Sequence, residues 1–175
     1  MSGQSLGRWL ACMSLACLAF SGMAAEEARV IAVIVPAQAA LAPEVHADEL
    51  GLIFWRKKLY AAQGQALHPV NLHSEHPLRL RFSQLVLHST PKSQVGYWNG
   101  LYFHGVQPPY TVQSEEAMIR YVADTAGAIG YVDACHLDER IRPLFWLAAS
   151  RVLTEAPALH CEGANFLSGV TPGQP

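Results

Sequence analysis

The sequence predicts an α/β domain. Short apolar runs of strand length occur at residues 30–35, 67–72 and 128–132. Between them lie segments whose apolar residues recur at helical spacing, opened by recognisable capping residues. Strands that alternate with helices define this class.

Residues 30–35 form a continuous apolar run stopped by Pro36, which predicts a buried strand; 37–43 is loop. A helix is expected from His46, because Leu50, Ile53 and Phe54 share one face. Asp48 and Glu49 fall in its first turn and Arg56, Lys57 and Lys58 at its end, complementing the helix dipole. Gln63-Gly64-Gln65 is a turn before the second strand, 67–72, where Pro69 predicts an edge position or the strand's first residues. Pro77 opens the next helix, where a missing N–H and a fixed φ cost nothing, and Leu78, Phe82, Leu85 and Val86 mark its inner face. Thr90-Pro91 repeats that device ahead of a helix lined by Val95, Trp98 and Leu101. After a loop at 105–109, Ser114 caps a helix with Glu115 and Glu116 in its first turn and Met118, Ile119 and Val122 as its apolar stripe. Gly127 ends that helix before the strand at 128–132. Two alternatives remain open beyond Cys135: a strand over 141–147 interrupted by Pro143, or a helix over 145–153. Residues 163–175 are rich in Gly and Pro and are expected to be disordered.

The N-terminus predicts export. Arg8 supplies a positive start, Trp9 to Phe20 is almost wholly apolar, and Ser21-Gly22-Met23-Ala24-Ala25 offers small residues before Glu26 and Glu27. That order is a secretory signal peptide over residues 1–25, and its apolar run is shorter than the about 20 residues of a spanning helix. A retained anchor is the alternative. Cys12 and Cys17 each follow Ala, but Trp9 and Ser14 three positions upstream do not suit a lipoprotein site. Cleavage leaves about 150 residues, enough to bury a core. The whole chain carries 12 basic and 14 acidic residues with no basic stripe, which argues against nucleic acid. Of four cysteines, Cys135 and Cys161 follow the leader, and an even pair in an oxidising compartment predicts a disulfide.

Three segments resemble one family. The helix Asp48-Glu49-Leu50-Gly51-Leu52-Ile53-Phe54-Trp55-Arg56-Lys57 is similar to the "DELxxIFxGK" helix of phosphate-type periplasmic binding proteins. Tyr97-Trp98-Asn99-Gly100-Leu101-Tyr102-Phe103-His104-Gly105, followed by Gln107-Pro108-Pro109, looks like the "YWxxLxFxGxxxPP" stretch of their short relatives. Thr125-Ala126-Gly127-Ala128-Ile129-Gly130-Tyr131-Val132 resembles "TPGAIGYV", with Ala126 where Pro is usual. The resemblance implies a single lobe of a type II periplasmic-binding-protein-like fold: a small mixed sheet flanked by helices, over residues 26–147, with 148–175 as a partly disordered tail. At this length one lobe is expected, without a closing cleft of its own. The family implies binding of inorganic phosphate or another oxyanion, an ABC permease or a periplasmic sensor as partner, and neither catalysis nor a cofactor. After leader cleavage, no stable membrane insertion is expected.

The anion loop departs from the family's "RSDGSGTT". Here Asn71-Leu72-His73-Ser74-Glu75-His76-Pro77-Leu78-Arg79 lacks its glycines, and Glu75 brings a negative charge. Ser74, His76 and Arg79 are the remaining candidates for holding an oxyanion at a helix N-terminus. The plainer reading has Ser74 or His76 capping the helix and Arg79 pairing with Glu75 one turn away. His68, His73 and His76 are close in sequence but match no closed metal-ligand pattern, so exposed loop histidines are the simpler account. No Gly-x-Ser-x-Gly occurs, and Cys135 beside His136 is better explained by the disulfide than by a thiolate and its base. Among Tyr97, Trp98, Tyr102 and Phe103, Trp98 is the clearest core candidate, while exposed members of the group would mark a partner surface. The alternative function is therefore a protein-interaction or sensor-accessory module that keeps the lobe's fold without a ligand.

Overall fold

The computed structural model describes residues 29–38, 40–149, 151–159 and 161. The signal peptide expected at 1–25 and the tail beyond Cys161 lie outside them. Six strands form one mixed sheet in the order β3-β2-β4-β1-β5-β6: β1 Ile31–Pro36, β2 His68–Leu72, β3 Tyr110–Val112, β4 Ala128–Asp133, β5 Ile141–Ala148 and β6 Arg151–Leu153. The helices are α1 Leu50–Phe54, entered through a 3₁₀ turn at Ala47–Glu49, then α2 Pro77–Leu87, α3 Val95–Tyr102 and α4 Glu115–Asp124. β2 runs parallel to β3 and β4, whereas β1 is antiparallel to both its neighbours.

Every residue of β1 and β4 is buried, as befits strands covered on both faces. Successive β4 residues show how. A Cβ on Gly130 would meet Met118 Sδ at 2.5 Å and Val122 Cγ2 at 2.8 Å, so α4 lies hard against that face. Tyr131 points the opposite way, as alternation requires. It stacks on Phe82 of α2 with ring centroids 4.0 Å apart, and Phe54 of α1 closes the cluster 4.6 Å from Phe82. Gly127 enters β4 at φ +75°, and a Cβ there would collide with the carbonyl oxygen of Ala66, so only glycine suits the position.

Some of these expectations are met and others change. The Gly105–Pro109 loop leads into a strand, β3, that sequence patterning does not show: it has three residues, two of them exposed. Pro69 lies in an interior strand, but at its second residue, before the β2–β3 ladder begins at Val70↔Tyr110. The region past Cys135 is strand, not helix. β5 accommodates Pro143 through a register shift against β1 between Val33 and Ile34, which leaves Leu144 as an extra residue. The sheet also runs beyond residue 147, because Ala149 at φ +51° turns the chain so that β6 pairs with β5. Cys135 and Cys161 are joined in a disulfide, with Cα atoms 5.6 Å apart, tying the segment after β6 to the end of β4.

Candidate functional site

β2 delivers the chain to the loop His73–His76, and α2 starts there. Ser74 and Glu75 are exposed. His76 is the N-cap: its Nδ1 accepts the Leu78 N–H at 3.2 Å, and Pro77 at the first helical position has no N–H to offer. Two of the helix's leading positions therefore present no free donor, unlike a glycine-rich anion loop. The His73 and His76 rings meet edge to face at 5.4 Å, while His68 starts the other end of β2. Among the described residues, no group of three or more His, Cys, Asp or Glu converges as a metal site.

Arg79 departs from both readings of the sequence. It neither reaches over the helix start nor pairs with Glu75; its guanidinium is buried, with the residue 7% exposed. Nη2 donates to Gln94 Oε1 at 3.0 Å, across from the turn that precedes α3. Among the described residues Nη1 has no hydrogen-bond partner, and neither do the buried Gln94 Nε2 and Ser83 Oγ, the latter one helical turn beyond Arg79. No carboxylate partners Arg79 among the described residues. Tyr131 completes the cluster: its hydroxyl accepts from Leu72 N at 3.2 Å and donates to Asn71 Oδ1 at 3.3 Å. Burial pushes its pKa up to about 12, although the nearby Arg79 charge works in the other direction. A buried cation with spare donors and no counter-ion is costly unless an acceptor arrives. Of the three residues expected together, then, Ser74 and His76 remain at the loop while Arg79 turns inward to Gln94 and Tyr131, with the buried Ser83 one turn further along α2.

The sequence matches no protein-family model and no curated protein. Solved structures do match. An ABC-type phosphate transport receptor from Vibrio cholerae is similar with a TM-score of 0.52 and 19% identity, over 66% of this chain and 45% of that one. A protein described as a phosphate ABC transporter substrate-binding protein, from Clostridium perfringens and solved with bound phosphate, has a TM-score of 0.51 and 13% identity over 66% and 44%. The mixed six-stranded sheet flanked by helices is thus a fold shared with part of these proteins. At these identities the likeness concerns architecture alone, and the chain spans less than half the length of either neighbour.

Within the lobe, sequence reasoning missed Ser83 and Gln94. Ser83 leaves a faint signal as a hydroxyl between Phe82 and Leu85 on the inner side of α2. Gln94 leaves none, since its place follows from the turn closed by Thr90 and Ser93, whose side chains bond each other's backbone N–H. The Cys135–His136 pairing is absent: the cysteine is bridged, and His136 Nδ1 lies 2.9 Å from Glu115 Oε2. Arg56, expected to end α1, stands just past its C-cap in the left-handed region at φ +57°, where the resembling motif has glycine. That conformation costs a non-glycine residue about 1 kcal/mol. Its Nη1 donates to Leu67 O at 3.0 Å.

Proposed function

We propose that the chain is a periplasmic solute-binding-type lobe that takes an inorganic oxyanion, phosphate being the first candidate, after removal of residues 1–25. The observation that carries this reading is Arg79: a buried guanidinium bonded to Gln94, with its Nη1, the Gln94 Nε2 and the Ser83 Oγ one turn along the same helix all unused, and with no carboxylate partner among the described residues. An oxyanion would neutralise the charge and accept from these donors, and charge-assisted bonds of this kind are the strong ones. Entry requires the 90–94 turn to lift. The helix that follows it, α3, buries none of its residues, so little packing opposes the movement. The Cys135–Cys161 bridge suits an oxidising compartment, and no described helix is long and apolar enough to cross a membrane. A permease or sensor would then be the downstream partner, and the reading assigns no catalysis.

Isothermal calorimetry of the mature chain against phosphate and then sulfate tests this. The expected result is a Kd below about 10 μM, worth roughly −7 kcal/mol, that disappears in Arg79→Met. Absence of heat with every oxyanion, from protein shown to be folded, would overturn it. The second reading, a protein-interaction module, would then stand on the apolar exposure of α3 and its C-terminal end: Val95 is 53% exposed, Tyr102 64% and Phe103 86%.

A further inference from the structure

The N-terminal end of β2 borders a small cavity away from the Arg79 cluster. It arises from a stagger in the sheet. β4 pairs with β2 at His68 and Pro69, whereas β3 joins only from Val70↔Tyr110, so the first residues of β2 have no neighbour on that side. Pro108 and Pro109 approach the gap without filling it, and neither they nor Pro69 can donate a backbone hydrogen bond to close it. What remains is a notch of about 200 Å³, below the range of drug-sized pockets.

Its lining has one sign of charge. Arg56 reaches it from the strained left-handed position after α1, with only Nη1 committed, to Leu67 O. Among the described residues no carboxylate pairs with Arg56, and no acidic side chain lines the notch. Gln107 adds an amide. Tyr110 and Tyr121 both line it and stack on each other at 5.0 Å and 22°, with Tyr110 59% exposed. A strained residue is retained where its surroundings or a function require it. Arg56 brings the charge that a glycine in the same conformation would not.

We propose that this notch binds a small aromatic carboxylate, with the carboxylate on Arg56 and Gln107 and the ring against the Tyr110–Tyr121 pair. The guanidinium fork matches a carboxylate, and an aromatic face favours a flat apolar body. Because it lies at the opposite end of β2 from Arg79, this binding is independent of oxyanion capture.

Benzoate is the probe, titrated into the mature, ¹⁵N-labelled chain and followed by amide chemical shifts. Saturable shifts grouped at Arg56, His68, Gln107, Tyr110 and Tyr121 are expected by about 1 mM benzoate. Benzamide, equal in shape and uncharged, should bind at least about tenfold more weakly. Arg56→Gly should weaken benzoate by about tenfold or more while remaining folded, since glycine relieves the positive φ. Arg79→Met should leave benzoate binding unchanged, which separates failure here from failure of the oxyanion site. Equal affinities for benzoate and benzamide, undiminished binding in Arg56→Gly, or no grouped shifts from folded protein would each overturn the proposal.

Discussion

Helices α2 and α3 follow one another in the chain and meet opposite fates. α3, Val-Gly-Tyr-Trp-Asn-Gly-Leu-Tyr, is the more apolar, yet none of its residues is buried. α2 has two arginines, a serine and a glutamine among its eleven residues, yet it buries Leu78, Arg79, Phe82, Ser83 and Leu87. Position decides the outcome. α2 lies over the face of the sheet that Tyr131 presents, so whatever stands on its inner side is taken into the core. α3 is held instead by a satellite cluster around Trp55, through Tyr97 at 4.7 Å, Trp98 at 5.8 Å and a bond from the Tyr97 hydroxyl to Trp55 O at 2.9 Å. Apolar composition therefore marks a helix as able to pack, not as packed.

The largest effect should come from testing that contrast directly. Phe82 is wholly buried between Phe54 and Tyr131, and Phe82→Ala should lower unfolding free energy by about 4 kcal/mol in urea denaturation. Trp98 is only half-buried, and Trp98→Ala should cost roughly 1 kcal/mol. Equal losses would mean that α3 belongs to the same cooperative core as α2, and that the 90–94 turn is not free to lift.

The next effect is smaller and has the opposite sign. Arg79 is desolvated without a counter-ion among the described residues, so Arg79→Met, similar in length and apolar, should leave the ligand-free protein unchanged or more stable by about 1 kcal/mol. A loss of several kcal/mol would identify Arg79 as a structural tie between α2 and Gln94 rather than a residue awaiting an anion. Thermal unfolding of both proteins, with and without phosphate, distinguishes the two: phosphate should raise the midpoint of the wild type alone.

How far the sequence reveals this arrangement depends on the reach of each signal. The central strands β1 and β4 are legible because burial on both faces writes itself as an unbroken apolar run. Gly127 and Gly130 are legible within their motif, and the structure supplies their reasons in Ala66, Met118 and Val122. β3 is not legible, since a three-residue strand with two exposed side chains beside two prolines has no periodicity to detect. β5 is ambiguous because a bulge, invisible in sequence, is what accommodates Pro143. The inner site fails for a related reason. Local spacing offers Glu75 to Arg79 at i, i+4, whereas the partner that wins is Gln94, fifteen residues on and brought near by the turn before α3. Ser74 and His76 were readable as a helix entry, and His76 serves as its cap.

The smallest effect concerns the platform beneath α3. Glu49, in the 3₁₀ turn entering α1, is paired with the Lys58 ammonium and accepts the His46 N–H at 3.0 Å. The bond from Lys58, followed by that from His46, holds its carboxyl below the ordinary value of 4.5. A carboxylate lowered in the folded state contributes stability that is full above its unfolded pKa and is lost as pH falls through the folded one. α1 leads directly to Trp55, so acid should loosen the support of α3, while the apolar contacts of α2 carry no charge to titrate. The pair is partly exposed, which keeps the effect small. The expected outcome is a drop in melting temperature on going from about pH 5 to about pH 3 that is smaller in Glu49→Gln than in the wild type. Identical drops would show that the Glu49–Lys58 pair contributes nothing to α1, and that the Trp55 platform is secured by its aromatic contacts alone.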